Sequence, residues 1–355
     1  FSIFTSQHQS DQQKWAWFYL DPDRSLFRWM TPLVPVLERI DNRLLRKALT
    51  YATALRNWVR GETRFVRLGR IPLREAGCFA AMTEKSFVDL RPAEFPTLFD
   101  IVREASVSLA ACEWPLAVYD HSVRLNPFLS SDALLFDFVS RNLRIKDFVF
   151  AHFTDVDAVM HRFGREGRET LGCIRRLDRG VRELYEKLRI RYGELNFFVI
   201  SDHGMMDVTD FFDPRPGLEP VRNGRYFTDS TTVRIWTADR TELEAARCFF
   251  SQSRKGTLFS AENMHELGIT FDRPYTGDLL FVGKPGVQIL PNFLDGTRQA
   301  RAMHGYRPCP ELNAVFMANR SLKRATMRMV DIAPSVAGAM GLSIPESWKG
   351  EAVFG

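Results

Sequence analysis

Three short stretches of this chain set imidazoles and carboxylates beside apolar runs. The first covers residues 195–205, Leu-Asn-Phe-Phe-Val-Ile-Ser-Asp-His-Gly-Met. Its apolar run at 197–200 reads as a buried strand that delivers Asp202 and His203 to the carboxyl end, where open α/β sheets place their ligand sites. A carboxylate beside an imidazole offers oxygen and nitrogen donors to one divalent ion, and Gly204 would let the backbone turn close to it. The second stretch, residues 150–161, holds Asp157 and His161. Four residues apart on a helix, they share a face at about 6 Å, close enough to meet on one ion. The third is Ala-Met-His-Gly-Tyr-Arg-Pro at 302–308, with His304 in a loop ahead of a strand. Taken singly, Asp157 reads as a helix cap, His161 as a surface residue and His304 as an ordinary loop histidine.

Taken together they offer two carboxylates and three imidazoles, enough for two adjacent metal sites. Asp157, His161 and His304 would form one, and Asp202 with His203 would contribute to the other. Mixed nitrogen and oxygen ligation suits zinc better than magnesium, which prefers oxygen octahedra. Two such ions about 4 Å apart can stabilise both the attacking and the leaving oxygen of an in-line phosphoryl displacement. The expected cofactors are therefore two divalent ions, zinc before others.

The elements that must hold these residues follow from hydrophobic periodicity. Helices are expected at 95–105, 131–142 (capped by Ser130 or Ser131), 169–192, 241–253 and 327–340. Strands are expected at 107–112, 147–153, 231–236 and 313–317, with a hairpin from 278 to 290 around Gly283 and Gly286. Leu171, Ile174, Leu177, Val181, Leu184 and Leu188 form the apolar stripe of the long helix, and its arginines form a solvated face. Strands alternating with helices predict an α/β fold with a largely parallel central sheet covered by helices on both faces. Residues 32–58 read as one helix, with Leu33, Val36, Leu37, Ile40, Leu44, Leu45, Ala48 and Leu49 as its apolar face. Residues 25–92 differ in composition and periodicity and are expected as an inserted helical cap. The α/β core would then be 1–24 with 93–355.

The motifs carry a family resemblance. Asp157-x-x-x-His161, Ser201-Asp-His-Gly-Met205 and Met303-His-Gly-Tyr306 resemble, in order, the three metal motifs of the alkaline phosphatase superfamily. The nearest branch is the type I phosphodiesterase/nucleotide pyrophosphatase family. Asp229-Ser-Thr-Thr-Val-Arg-Ile-Trp236 resembles that family's Asp-Ser-Thr strand, and Val330-Asp-Ile-Ala-Pro-Ser335 its closing helix, so the likeness spans 147–350. It implies hydrolysis of phosphodiester or pyrophosphate bonds in a small phosphate ester or nucleotide, through a covalent phosphoryl-enzyme. Residues 2–10 resemble the segment that follows the family's nucleophile. The nucleophilic Thr or Ser, and one Asp ligand, are accordingly expected upstream of Phe1, while Ser2 and Thr5 do not align with it. Ser6 stands where Gly is usual, Gln13 where His is frequent, and Met160 where a small residue is usual. The alternatives are a phosphomonoesterase or sulfatase of the same superfamily, or a degenerate member that binds metal without catalysis.

Composition bounds the rest. The 355 residues are 45% hydrophobic and 26% charged, ordinary for a globular protein, and 48 basic against 43 acidic residues leave a net charge of +5. That suits an anionic substrate without implying nucleic acid. The five cysteines are scattered and form no C-x-x-C pair, which points to a reducing, cytoplasmic compartment rather than a zinc ribbon or a disulfide framework. No apolar run approaches the roughly 20 residues that a membrane span needs.

Overall fold

The computed structural model describes residues 2–9, 11, 16–59, 66–81, 95–113, 117–118, 132–143, 146–260, 263–264 and 270–354. Gln13, Ser130 and Ser131 lie outside these residues. The chain forms two compact units, one from 1–12, 86–205 and 309–355, the other from 13–85 and 206–308.

In the first unit, helix Leu98–Glu104 opens on a reciprocal cap. Thr97 Oγ1 accepts from the Asp100 amide at 3.1 Å, and the Thr97 amide donates to Asp100 Oδ2 at 3.0 Å. The helix buries Leu98 and Val102 against Ile332, Ala333, Val336 and Ala337 of the closing helix Ile332–Ala339. Strand Leu109–Glu113 runs parallel to Phe148–Ala151, with Leu109 opposite Phe148, and antiparallel to Ala117–Val118. The long helix Arg168–Tyr192 buries Leu184 and Leu188 with Ala110 and Val139. Its arginines do lie on the solvated side, where Arg182 pairs with Asp178 and Arg189 with Glu186.

The N-terminal segment is tied to the closing helix. Ser6 adopts φ +51°, which accounts for a glycine preference at this position. As a serine it gains contacts that glycine lacks: its hydroxyl donates to the Val330 carbonyl at 2.7 Å and accepts from the Gly350 amide at 2.9 Å. Asp331, fully buried, accepts from the amides of Arg328 and Glu351 and from the guanidiniums of Arg324 and Arg328. Burial works to raise its pKa, but these donors outweigh burial and hold the carboxyl below its ordinary value of 3.8.

The second unit is built on a four-stranded antiparallel sheet, in the order Gly256–Ser260, Leu279–Gly283, Thr232–Trp236, Arg225–Thr228. Helix Arg240–Ser251 starts at Asp239, whose carboxylate accepts from the Thr241 and Glu242 amides. It sets Ala246 and Phe250 against Val233, Ile235, Leu279 and Phe281.

The fold is mixed α/β, and the described strands form small sheets. Parallel pairing joins Leu109–Glu113 to Phe148–Ala151 and Asp210–Phe212 to Val287–Ile289, and the other described pairs are antiparallel. The expected hairpin at 278–290 turns at Gly286, φ +87°, but its second strand leaves to pair with Asp210–Phe212. The single helix at 32–58 is instead a run of short turns up to Ile40, a break at Asp41, and helix Arg43–Val59. The break is stabilised by Asn42, whose Oδ1 accepts from the Leu44 and Leu45 amides.

The segment expected as a cap does not stand apart. Phe27, Met30, Leu68, Ile71 and Phe79 share one core with Phe227, Trp236 and Phe293, so residues 25–81 and the four-stranded sheet are parts of one unit.

Candidate metal centre

Two strand ends and one helix of the first unit converge. Strand Phe198–Ile200 pairs antiparallel with Phe316–Ala318, Ile200 opposite Phe316, and the chain then enters Ser201, Asp202 and His203. Gly204 closes this corner. Its amide donates to the Leu312 carbonyl at 2.9 Å, and an added Cβ would sit 2.7 Å from the Leu312 carbonyl carbon and 2.9 Å from the Asn313 oxygen. The glycine is needed because the 312–313 backbone crosses against it, a requirement different from the expected close approach of an ion.

His203 is oriented from behind. Its Nδ1 lies 3.0 Å from the Gly204 carbonyl oxygen, an acceptor only, so the proton belongs on Nδ1 and the ring lone pair on Nε2. Nε2 lies 3.6 Å from Asp202 Oδ2. The second stretch folds as helix Asp155–Phe163, with Asp155 and Asp157 in its first turn, where the helix dipole favours carboxylates. Gly164 ends it at φ +81°. One turn apart, as the spacing requires, Asp157 Oδ1 and His161 Nε2 lie 3.4 Å from each other. A carboxylate oxygen of Asp157 and a ring nitrogen of His203 lie within 4.8 Å, so the two motifs meet. The structure therefore brings together four of the five expected residues, Asp157, His161, Asp202 and His203, within the first unit.

His152 is a fifth member that the sequence reading passed over. It directly follows strand Phe148–Ala151, the same strand-end position that drew attention to Asp202. Burial lowers its pKa, the carboxylates of Asp202 and Asp157 oppose that, and His203 adds to the lowering. An imidazole can bind an ion or donate a hydrogen bond, but not both from one nitrogen.

His304 belongs to the second unit. It follows the two-residue strand Ala302–Met303, paired with Met206–Asp207, and precedes Gly305 at φ +87°, whose carbonyl accepts from Thr231 Oγ1 at 2.9 Å. Thr231 is part of the Asp-Ser-Thr segment. Its Asp229 is pushed up by burial against the pull of Arg234, and Arg234, wholly buried, is pulled down to about 10 by burial while Asp229 opposes it. Arg234 Nη1 also donates to the Phe18 and Tyr275 carbonyls. Asp229 and Arg234 thus act on each other electrostatically next to the His304 turn.

The same unit carries a cleft of about 1070 Å³ lined by Arg70, Arg74, Arg215, Arg222, Arg225 and Tyr226 among others. Glu75 and Asp213 offset part of that charge, Glu75 beside Arg225 at 3.3 Å and Asp213 on Arg215 at 2.6 Å.

Comparison with known proteins decides the family. The family model described as type I phosphodiesterase/nucleotide pyrophosphatase matches residues 27–307. The chain belongs to this family. No curated protein matches it in sequence. Among solved structures, murine ectonucleotide pyrophosphatase/phosphodiesterase 5 is similar at TM-score 0.58 and 18% identity, over 71% of this chain and 72% of that one. The human protein of the same name is similar at TM-score 0.60 and 16% identity, over 76% and 77%. An inactive variant of the murine protein in complex with AMP is similar at TM-score 0.57 and 18% identity, over 71% and 72%. At such identities the neighbours share the fold. Family membership makes the chain a hydrolase of the phosphodiesterase/nucleotide pyrophosphatase type, and the motifs of this phosphodiesterase contain residues able to hold a divalent ion.

Proposed function

We propose that the chain hydrolyses phosphodiester or pyrophosphate bonds in nucleotide-like substrates at a two-zinc centre. The observation that carries this reading is the convergence of Asp157 and His203, two residues from separate motifs, within 4.8 Å. Asp157 and His161 would hold one ion, and Asp202 with His203 would contribute to the other. His304 enters as a ligand of the first ion through its motif, Met303-His-Gly-Tyr306. The donor set fits zinc: imidazole Nε2 atoms directed at carboxylates, one imidazole fixed in its tautomer by a backbone carbonyl. When bound, the ions would neutralise the phosphate charge and polarise its oxygens.

The chain's own residues set the geometry. The helix turn holds Asp157 and His161 in register, and the packed Gly204 corner holds His203. The covalent phosphoryl-enzyme implied by the resemblance is part of the same reading, and its nucleophile is unassigned in this sequence. A nucleotide substrate is favoured by the AMP complex of the murine neighbour and by the net positive charge.

The test is zinc content together with turnover of bis-p-nitrophenyl phosphate by the protein and its variants. Asp157→Ala and His203→Ala should each lose bound zinc and cut turnover by about a hundredfold or more. Unchanged zinc content and unchanged turnover in both variants would overturn the two-metal assignment.

A further inference from the structure

Helix Arg43–Val59 packs Leu45 and Leu49 on the core, yet it also leaves an apolar stripe outward. Its inner side carries Leu49 together with three polar residues, Thr50, Thr53 and Asn57, the last two only 1% exposed. Its outer side carries Leu44 at 78%, Tyr51 at 56%, Leu55 at 61% and Val59 at 73% exposure. At 100° per residue these four, with Ala48 between them, fall within about one quarter of the helix circumference. In the preceding segment Val36 is 61% and Ile40 55% exposed. Scattered exposed leucines need no account, but a continuous apolar stripe on one helix marks an interaction surface.

The charge around the stripe selects the partner. The helix holds four basic residues and no acidic one in its 17 positions. Arg46 is tied down by Asp41 and by the Gly69 and Ile71 carbonyls. Arg43 and Lys47 remain beside the stripe, with Lys47 Nζ 6.0 Å from the centre of the Tyr51 ring. A second copy of the same helix laid on this face would bring arginine and lysine against their own kind, with no carboxylate on either helix to pair them. Anionic lipid headgroups supply the missing charge, and the acyl boundary below them accepts Leu44, Leu55 and Val59. Among the described residues no helix is long and apolar enough to cross a bilayer. The contact is therefore one that lies on the surface.

We propose that helix Arg43–Val59 docks this protein on anionic membrane surfaces, with Leu44, Tyr51, Leu55 and Val59 inserted and Arg43 and Lys47 on the headgroups. The test is co-sedimentation of the full chain with vesicles of phosphatidylcholine alone and of phosphatidylcholine mixed with phosphatidylserine. The full chain should bind the mixed vesicles about tenfold or more tightly than the neutral ones, and high salt should weaken that binding. Leu44→Glu with Leu55→Glu should abolish binding, and Arg43→Glu with Lys47→Glu should weaken it about tenfold or more. Leu44 and Leu55 lie on the outer side and Arg43 and Lys47 are exposed, and an unchanged circular dichroism spectrum checks that both variant pairs fold. If the apolar pair fails to fold, the charge pair decides.

Equal binding by the parent and a folded variant pair, or no binding by the parent, overturns the proposal. So does a dimer in sedimentation velocity that the Leu44/Leu55 variant abolishes, since the face would then belong to a second copy.

Discussion

Asp331 shows how one residue holds a distant part of the chain. Its carboxylate gathers two amides and two guanidiniums on the 3-10 turn before the closing helix, with no exposed surface of its own. The donors win over burial, so the folded pKa lies below 3.8. By linkage, the stabilisation is fully present above that ordinary carboxylate value and is lost as pH falls through the lowered folded one. Asp331→Asn keeps the shape but leaves the donors without a charged acceptor. A cost of about 2 kcal/mol is expected at neutral pH, because Arg324 and Arg328 are partly solvated. Urea unfolding of both proteins at pH 7 and pH 3 checks this: the gap between them should narrow at the lower pH, and a constant gap would show that the charge is immaterial. The Gly204 corner makes a similar point. The sequence marks a glycine beside a histidine, and only packing shows that the Leu312–Asn313 backbone is what excludes a side chain there.

At the scale of elements, helix Arg43–Val59 separates periodicity from burial. Its apolar positions recur as a core-facing stripe would, but the buried side is Leu49 with Thr50, Thr53 and Asn57. Periodicity reports that an apolar face exists, and says nothing of what covers it. The start of this helix depends on Asn42, which caps the Leu44 and Leu45 amides after the Asp41 break. Asn42→Ala removes both acceptor contacts and should cost about 1 kcal/mol. A fall of a few degrees in melting temperature would register it, whereas an unchanged melting temperature would mean the helix is held by its packing alone.

At the scale of the whole molecule, the chain crosses between its two units four times, after residues 12, 85, 205 and 308. Residues 27–79 complete the aromatic core that contains Phe227, Trp236 and Phe293. A chain with 25–92 deleted would therefore expose that core and is expected to aggregate on expression rather than yield a soluble protein. Recovery of a soluble monomer with a cooperative thermal transition would show instead that the segment is a dispensable insertion.

The sequence by itself determined the motifs, their order and the local elements that carry them. Asp157 and His161 had to share a helix face because 3.6 residues make a turn, and Asp202 and His203 had to follow an apolar strand. The family match over residues 27–307 agrees with that reading of the motifs. His152 was equally legible from its strand-end position, but its role depends on Asp202 and Asp157, more than four residues away in sequence, being close in space. The tertiary structure decided which strands pair, in which direction, and which helix face is covered. These are long-range choices, set by how separate segments bury their apolar surface together. The turn at Gly286 is local, yet strand Val287–Ile289 found its partner at Asp210–Phe212, about 75 residues back, because a strand edge is satisfied by whichever neighbour the core brings alongside it.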